Sequence, residues 1–273
     1  MPTFSVIIPT YNSEETISAS LDAIVSQTFT DVEVYIQDGQ SKDATLAIVD
    51  RYKERLDHLV VVSEEDQGIY DAMNRAMAKV NGDWLIFLGS DDTFYDNEVL
   101  AKTAAFLEKT EAKVVYGDAK IIGDTGWAKD GELYAGEFTL AKLLNQNICH
   151  QAMFYNTNFV RQEIGDFNIA YKKSSDWDFN LRCWAKAPFV YLDLVIANFA
   201  AGGFSTNSND NKLVEDYLAN VLSYFGVGLF HPMVNRPSFI FYPEVMARQQ
   251  REHPYRYRLM QLKQRIARKL GRK

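Results

Sequence analysis

Two adjacent acids stand where a short apolar segment ends. Trp84-Leu85-Ile86-Phe87-Leu88 runs into Gly89-Ser90-Asp91-Asp92. An apolar run of that length, closed by a glycine, reads as a strand buried in a parallel sheet. Two carboxylates at the end of such a strand are costly to desolvate unless a cation or hydrogen-bond donors meet them. In open α/β sheets, ligands collect beyond the carboxyl ends of the strands. The chemistry that fits is a divalent cation held by Asp91 and Asp92 against a bound phosphate. The competing reading is a solvated turn in which Asp92 caps a helix starting near Asn97.

Three more strand ends carry polar groups. The first ends in Pro9-Thr10-Tyr11-Asn12. Amides and hydroxyls at a helix N-terminus suit an anion or a base edge, and Tyr11 can stack on a nucleobase. The second ends in Gln37-Asp38-Gly39-Gln40-Ser41, where Asp38 can accept from a ribose hydroxyl or a base N–H. The third leads through Glu64-Glu65-Asp66 into Asp71, Asn74 and Arg75, a denser set of hydrogen-bonding groups than packing requires. Ordinary turn and helix-dipole chemistry is the competing reading at each position. No glycine-rich phosphate loop follows the first strand, which weighs against a dehydrogenase or an ATPase.

The elements that position these groups alternate. Strands are expected at Phe4–Pro9, Val32–Gln37, His58–Ser63 and Trp84–Leu88. Between them the apolar spacing predicts helices. One begins near Ser13, with Asn12 as N-cap and Glu15 at the capping-box position. The next is capped by Ser41, and the third carries Ile69, Tyr70, Met73, Ala76, Met77 and Val80 on one face. Repeated βα units imply a parallel sheet with right-handed crossovers. Beyond residue 112 the rhythm loosens. Strands are expected at Lys113–Tyr116 and Ala152–Tyr155, with hairpin signals between 123 and 131. Helices are expected at Leu140–Asn145, Ser175–Ala187 and Leu213–Phe225, and a mobile polar loop at Ala200–Asn211.

Four segments, taken in order, resemble a known family. They are Pro-Thr-Tyr-Asn, Gln-Asp-Gly-x-Ser-x-Asp, Ser-Glu-x-Asp-x-Gly-Ile-Tyr-Asp-Ala-Met-Asn and Gly-Asp-Trp-x-x-Phe-Leu-x-Ser-Asp-Asp. They look like the inverting glycosyltransferases of family 2, of the bacterial exopolysaccharide and colanic-acid type. The resemblance implies an α/β GT-A fold: a Rossmann-like, mostly parallel central sheet flanked by helices, here with a C-terminal helical extension. It divides the chain into a nucleotide-sugar-binding half (1–112), an acceptor and catalytic-base half of the same domain (113–225) and the extension (226–273). It places Pro9, Thr10, Tyr11, Asp38, Asp66, Asn74 and Asp91 around a nucleotide-sugar donor. It implies Mg²⁺ or Mn²⁺ at Asp91, with Asp92 next. Many members read Asp-x-Asp-Asp where this chain has Gly89-Ser90-Asp91-Asp92, so the first acid is absent. A hard octahedral ion needs only one or two carboxylates beside phosphates and water.

The same resemblance makes Asp176 the general base, opening a helix as Ser175-Asp176-Trp177-Asp178. Asp178 is the alternative base, and plain N-capping by Ser175 or Asp176 is the structural alternative. His150, Gln151 and Trp177 are candidates for the acceptor or sugar pocket. The expected activity is metal-dependent inverting transfer of a sugar from a nucleotide-diphosphate donor, UDP favoured, to a hydroxyl of a saccharide or lipid-linked acceptor. Two other readings are a sugar-phosphate nucleotidyltransferase and a catalytically silent GT-A scaffold or carbohydrate-binding subunit. The chemistry requires the acid pair and Asp176 to share one cleft.

Composition bounds the rest. Ten of the 29 basic residues but one of the 36 acids lie in the last 26 positions, so the net charge of −7 hides a basic tail on an acidic body. A nucleic-acid binder would spread basic charge over its folded domain, so no nucleic-acid partner is expected. Leu259, Leu262, Ile266 and Leu270 recur along one side of a basic helix. That pattern suits an anionic membrane surface. It also suits packing on the domain or on a partner subunit, such as a homo-oligomer. Two cysteines, no basic leader and no long apolar span predict a cytoplasmic chain, peripheral at most on the inner membrane face.

Overall fold

The computed structural model describes residues 2–134, 136–202 and 211–270. The chain divides into two compact units, Met1–Phe138 with Asn147–Leu213, and Thr139–Gln146 with Val214–Lys273. The C-terminal unit thus begins before the expected position 226, and residues 139–146 join it.

The first unit is built on nine strands among the described residues: β1 Phe4–Thr10, β2 Val32–Asp38, β3 Leu59–Ser63, β4 Trp84–Phe87, β5 Thr93–Phe94, β6 Val114–Ile122, β7 Leu133–Tyr134, β8 Met153–Asn156 and β9 Val190–Ala200. The helices are α1 Ile17–Val25, α2 Thr45–Asp50, α3 Ile69–Met77, α4 Val99–Leu107, α5 Leu140–Leu143, α6 Thr157–Phe159, α7 Ser175–Lys186, α8 Asn211–Tyr224, α9 Tyr242–Glu252 and α10 Pro254–Leu270. The sheet runs β3-β2-β1-β4-β8-β6-β9-β5, with β7 beside β6. From β3 to β4 every pairing is parallel. Beyond β4 the sheet is mixed: β8 is antiparallel to β4 and β6, β9 is parallel to β6, and β5 is antiparallel to β9. The expected mostly parallel sheet therefore holds for one half only.

β1 is buried along its whole length, as a central parallel strand covered on both faces must be. Helix α3 packs on β1 and β2, α1 on α2 and β5, and α4 on β9. The parallel register sets Thr10 beside Asp38 and Asp38 beside Ser63. The loops after β1, β2, β3 and β4 consequently leave from one edge of the sheet.

Two helices start later than the sequence pattern predicts. Helix α1 begins at Ile17, not Ser13, and α2 follows Ala44 rather than a Ser41 cap. The polar residues expected to cap them are used between loops instead. Asn12, at φ 49°, accepts through Oδ1 from the Lys42 amide at 2.8 Å. The amides of Asn12, Ser13 and Glu14 donate to Ser41 Oγ, Thr45 Oγ1 and Asp43 Oδ2 at 2.8, 2.7 and 3.0 Å. Glu14 accepts from the Ala44 amide at 2.8 Å. A second-strand loop therefore does for the first what a helix cap would have done.

Strand β9 was not expected, and β6 is more than twice the predicted length. Only part of the expected polar loop at 200–211 can be described, since residues 203–210 lie outside the described residues. In the second unit, α5 is joined to its surroundings by Tyr217, whose hydroxyl donates to the Leu144 carbonyl at 3.0 Å. The Ile240 amide donates to Asn145 Oδ1 at 2.7 Å.

Candidate active site

Leu88 pairs back onto β1 through the Ile7 carbonyl at 2.9 Å, and the chain then turns through Gly89 to Asp92. Asp92 is buried (2 % exposed). Its Oδ1 accepts from the Ala200 amide at 2.8 Å and its Oδ2 from Gln151 Nε2 at 3.0 Å. Burial, then the charge of Asp91, pushes its pKa up to about 7 against the pull of those two donors. The reading of Asp92 as a solvated helix cap is wrong: α4 starts at Val99, and Asp92 points into the protein. With both oxygens engaged, Asp92 is also poorly disposed to be a metal ligand.

Asp91 differs. It is half-buried, and burial raises its pKa. Among the described residues no other side chain hydrogen-bonds to its carboxylate. That donor set, one free carboxylate backed by a second buried one, fits a hard divalent ion that fills its other positions with phosphate and water. Among the described residues no cluster of three His, Cys, Asp or Glu side chains converges on a metal position. Gly89 has a reason of its own. A Cβ there would come within 2.4 Å of Asp92 Oδ2 and 2.7 Å of Asp91 Oδ1. A side chain at this position would have to push both carboxylates aside.

The second acid centre is the start of α7. Asp176 Oδ2 accepts from Asn147 Nδ2 at 2.6 Å, and His150 Nδ1 lies 3.3 Å from the same oxygen. The Tyr70 hydroxyl sits 2.9 Å from Oδ1 and 2.7 Å from the Lys173 carbonyl. Asn147 is held in turn by Asn180 Nδ2 at 2.9 Å, and Asn180 Oδ1 accepts from Tyr155 at 2.8 Å. The carboxylate is thus fixed from three elements while its side chain keeps 13 % exposure. Asp178 is not equivalent. It is buried and paired to Arg182 at 3.0 Å, one turn along the helix. Arg182 also donates to the Ile164 and Asp166 carbonyls at 2.8 Å each. The alternative assignment of Asp178 as base therefore fails on geometry. Ser175 is fully buried and its Oγ has no partner among the described residues. A carboxylate at that position would have to be desolvated.

The two centres meet through one dipeptide. His150 and Gln151 open a single 3₁₀ turn before β8; His150 reaches Asp176 and Gln151 reaches Asp92. Cys149 Sγ donates to Gln151 Oε1 at 3.1 Å, which orients the amide. Burial, then the charge of Asp92, pushes the thiol pKa up, so it remains a donor. Trp177 is half-buried beside Asp176.

Most of the residues expected around a donor lie at or just beyond the ends of β1, β2 and β3. Tyr11 is 63 % exposed. A Cβ on Gly39 would lie 2.7 Å from Asp66 Oδ2 and 3.4 Å from the Tyr11 ring, so these three are close neighbours. Burial raises the Asp66 pKa, aided by Asp71 and Asp38; the Gly68 amide and Arg75 act the other way. Asp38 is fully buried and accepts from Ser41 Oγ, the Ser41 amide and Ser63 Oγ at 2.5, 3.0 and 2.6 Å. It ties the loop after β2 to the end of β3. Pro9 and Thr10 are buried at the end of β1. Asn74 departs from expectation. Both ends of its amide are taken by the Phe167 backbone, at 2.9 and 2.8 Å. It anchors the segment before α7. Sequence reasoning missed Tyr70, Asn147 and Asn180. The clue was the polar run Asn145-Gln146-Asn147 ahead of His150.

Comparison with known proteins bears on the family and the fold. The family model described as Glycosyl transferase family 2 matches residues 5–178. A protein named PGL/p-HBAD biosynthesis glycosyltransferase, from Mycobacterium bovis, is 40 % identical over 220 residues, covering 78 % of this chain and 83 % of the relative. The Staphylococcus aureus poly(ribitol-phosphate) beta-N-acetylglucosaminyltransferase TarS is 30 % identical over 193 residues, covering 68 % of this chain and 33 % of TarS. The fold is similar to a crystal structure of TarS 1–349 with UDP-GlcNAc, at TM-score 0.69 and 24 % identity, covering 81 % of this chain and 66 % of that one. It is also similar to the Pyrobaculum calidifontis mannosyltransferase PcManGT with GDP-Man and Mn²⁺, at TM-score 0.56 and 15 % identity over 97 % of this chain and 80 % of that one. The run of acids, the sheet and these likenesses agree: the chain belongs to glycosyl transferase family 2 and has the GT-A fold.

Proposed function

We propose that this glycosyltransferase moves a sugar from a nucleotide-diphosphate donor, UDP-linked in the first instance, to a hydroxyl of a cell-surface glycan or its lipid-linked precursor, with inversion at the anomeric carbon. One observation carries the reading: consecutive side chains, His150 and Gln151, tie Asp176 and the Asp91–Asp92 loop into one site. Support for the substrate class comes from the relatives' names. The mycobacterial one concerns PGL/p-HBAD biosynthesis, and TarS acts on poly(ribitol-phosphate) and was solved with UDP-GlcNAc.

In this mechanism Tyr11, Asp66 and Gly39 receive the nucleotide base and ribose. Asp38 holds the loop after β2 in place. Asp176, oriented by Asn147 and Tyr70, takes the proton of the acceptor hydroxyl. The hydroxyl oxygen bonds to the anomeric carbon as the bond to the diphosphate breaks, and the nucleoside diphosphate leaves with the electron pair. Asp91, backed by Asp92, is the residue that would hold Mg²⁺ or Mn²⁺. Such an ion, when bound, neutralises the leaving diphosphate as a Lewis acid.

The test is a screen of purified protein against UDP- and GDP-sugars, reading nucleoside diphosphate release with chelator, Mg²⁺ or Mn²⁺. Donor-specific, cation-stimulated release supports the reading. Pyrophosphate release from a nucleoside triphosphate and a sugar phosphate would replace it with nucleotidyl transfer. Silence with every donor, despite intact folding, would leave a binding scaffold.

A further inference from the structure

Helix α10 turns its apolar side to water. Tyr255, Leu259, Leu262 and Ile266 are spaced i, i+4, i+7, i+11, which places them in one stripe. Their exposures are 86, 53, 54 and 48 %. The other side of the helix, with Tyr257, Met260, Gln261 and Gln264, is the more covered one. Met260 Sδ there accepts from Asn235 Nδ2 at 3.3 Å, and the Arg256 guanidinium lies 4.1 Å from the centre of the Phe230 ring. A helix packed on its own unit normally covers its leucines and shows its glutamines. Here the order is reversed.

The flanks of the stripe decide what covers it. Arg256 and Lys263 lie along one side, Arg258 and Arg265 along the other. The one acid of the tail, Glu252, is already held by Arg248 at 3.1 Å and Arg251 at 3.2 Å. A second copy pairing along this stripe would bring cations against cations in either direction, since the residues flanking such a seam face their counterparts. No described helix is long and apolar enough to cross a membrane. A planar surface of negative charge over hydrocarbon matches both the stripe and its flanks. We propose that α10 docks this protein on an anionic lipid surface, lying in the plane with Leu259, Leu262 and Ile266 inserted and the four cations at headgroup level. The inference is independent of the transfer reaction.

Vesicle flotation of the full chain tests it, using phosphatidylcholine with and without phosphatidylglycerol. Binding is expected only with phosphatidylglycerol and should weaken as salt is added. The variant R258Q/K263Q/R265Q should lose about 100-fold in partition, at roughly fivefold per cation. The variant L259Q/L262Q/I266Q should bind at least about tenfold more weakly. Thermal melting separates lost docking from lost folding; if the triple apolar variant melts early, Leu262→Gln alone should still weaken binding several-fold. Flotation that ignores phosphatidylglycerol, or that survives the apolar-stripe substitutions, overturns the proposal. So does a dimer in light scattering that those substitutions convert to monomer while vesicle binding is unchanged.

Discussion

Each half of the site presents two acids close in sequence, and in each one acid is spent on structure. After β4, Asp92 is enclosed by the Ala200 amide and Gln151, while Asp91 has no side-chain hydrogen bond among the described residues. At the start of α7, Asp178 is locked to Arg182, while Asp176 is met by Asn147, Tyr70 and His150. The buried member fixes the backbone from which the other projects. Proximity of acids in a sequence therefore signals a division of labour and not a shared task. The pairs also differ: Asp92 is satisfied by neutral donors and Asp178 by a cation. The first stays hard to ionise, and the second depends on its partner.

Substitutions that treat the paired acids unequally can break this comparison. The largest effect is expected at Asp176. Asp176→Asn should cost about 10²–10⁴ in turnover, the range of general-base help, with donor affinity retained in calorimetry. Normal turnover would end its assignment. Next, Asp91→Ala should lower cation-stimulated kcat/KM roughly a hundredfold, toward the lower end of several kcal/mol of lost charge stabilisation. The variant and the chelated wild type should then bind donor alike. Asp178→Ala should act on stability, not chemistry. Leaving a mostly buried guanidinium unpaired costs about 3 kcal/mol, readable as a lower denaturant midpoint, while the folded fraction keeps its KM.

A pH-dependent effect sharpens the picture of Asp92. Its folded pKa, raised to about 7 by burial and by Asp91, exceeds the unfolded value of about 4. Between those pH values the folded chain holds a proton that the unfolded chain has released. Stability from this group is thus full below about pH 4 and falls as pH rises toward 7. In chelator, the melting temperature of Asp92→Asn relative to wild type should shift in the variant's favour across that window. A constant offset at every pH would show that Asp92 is not held protonated.

Much of the donor side is legible in the chain. Short apolar runs such as Phe4–Pro9 and Trp84–Leu88 end in polar turns, and burial on both faces leaves little freedom in reading them. The first helix is misread because the pattern from Asn12 to Glu15 obeys a local capping rule, while the real partners lie some 30 residues away. Strand β9 is hidden for another reason. Its burial is uneven, and Asp193 and Asn198 interrupt the apolar pattern. Asn198 is there to reach Thr93 Oγ1 at 3.0 Å. At the site, residue types flagged Asp91 and Asp176, but Tyr70 and Asn147 come to Asp176 from 106 and 29 positions away. No window along the chain contains that meeting.

The hydrogen bonds joining residues 12–14 to 41–45 carry a practical consequence for anyone redesigning the proposed donor side. Because each segment supplies the other's missing partners, neither can be transplanted from a homologue alone without orphaning amides on the segment left behind. Specificity swaps at this edge of the enzyme have to be made as a matched set.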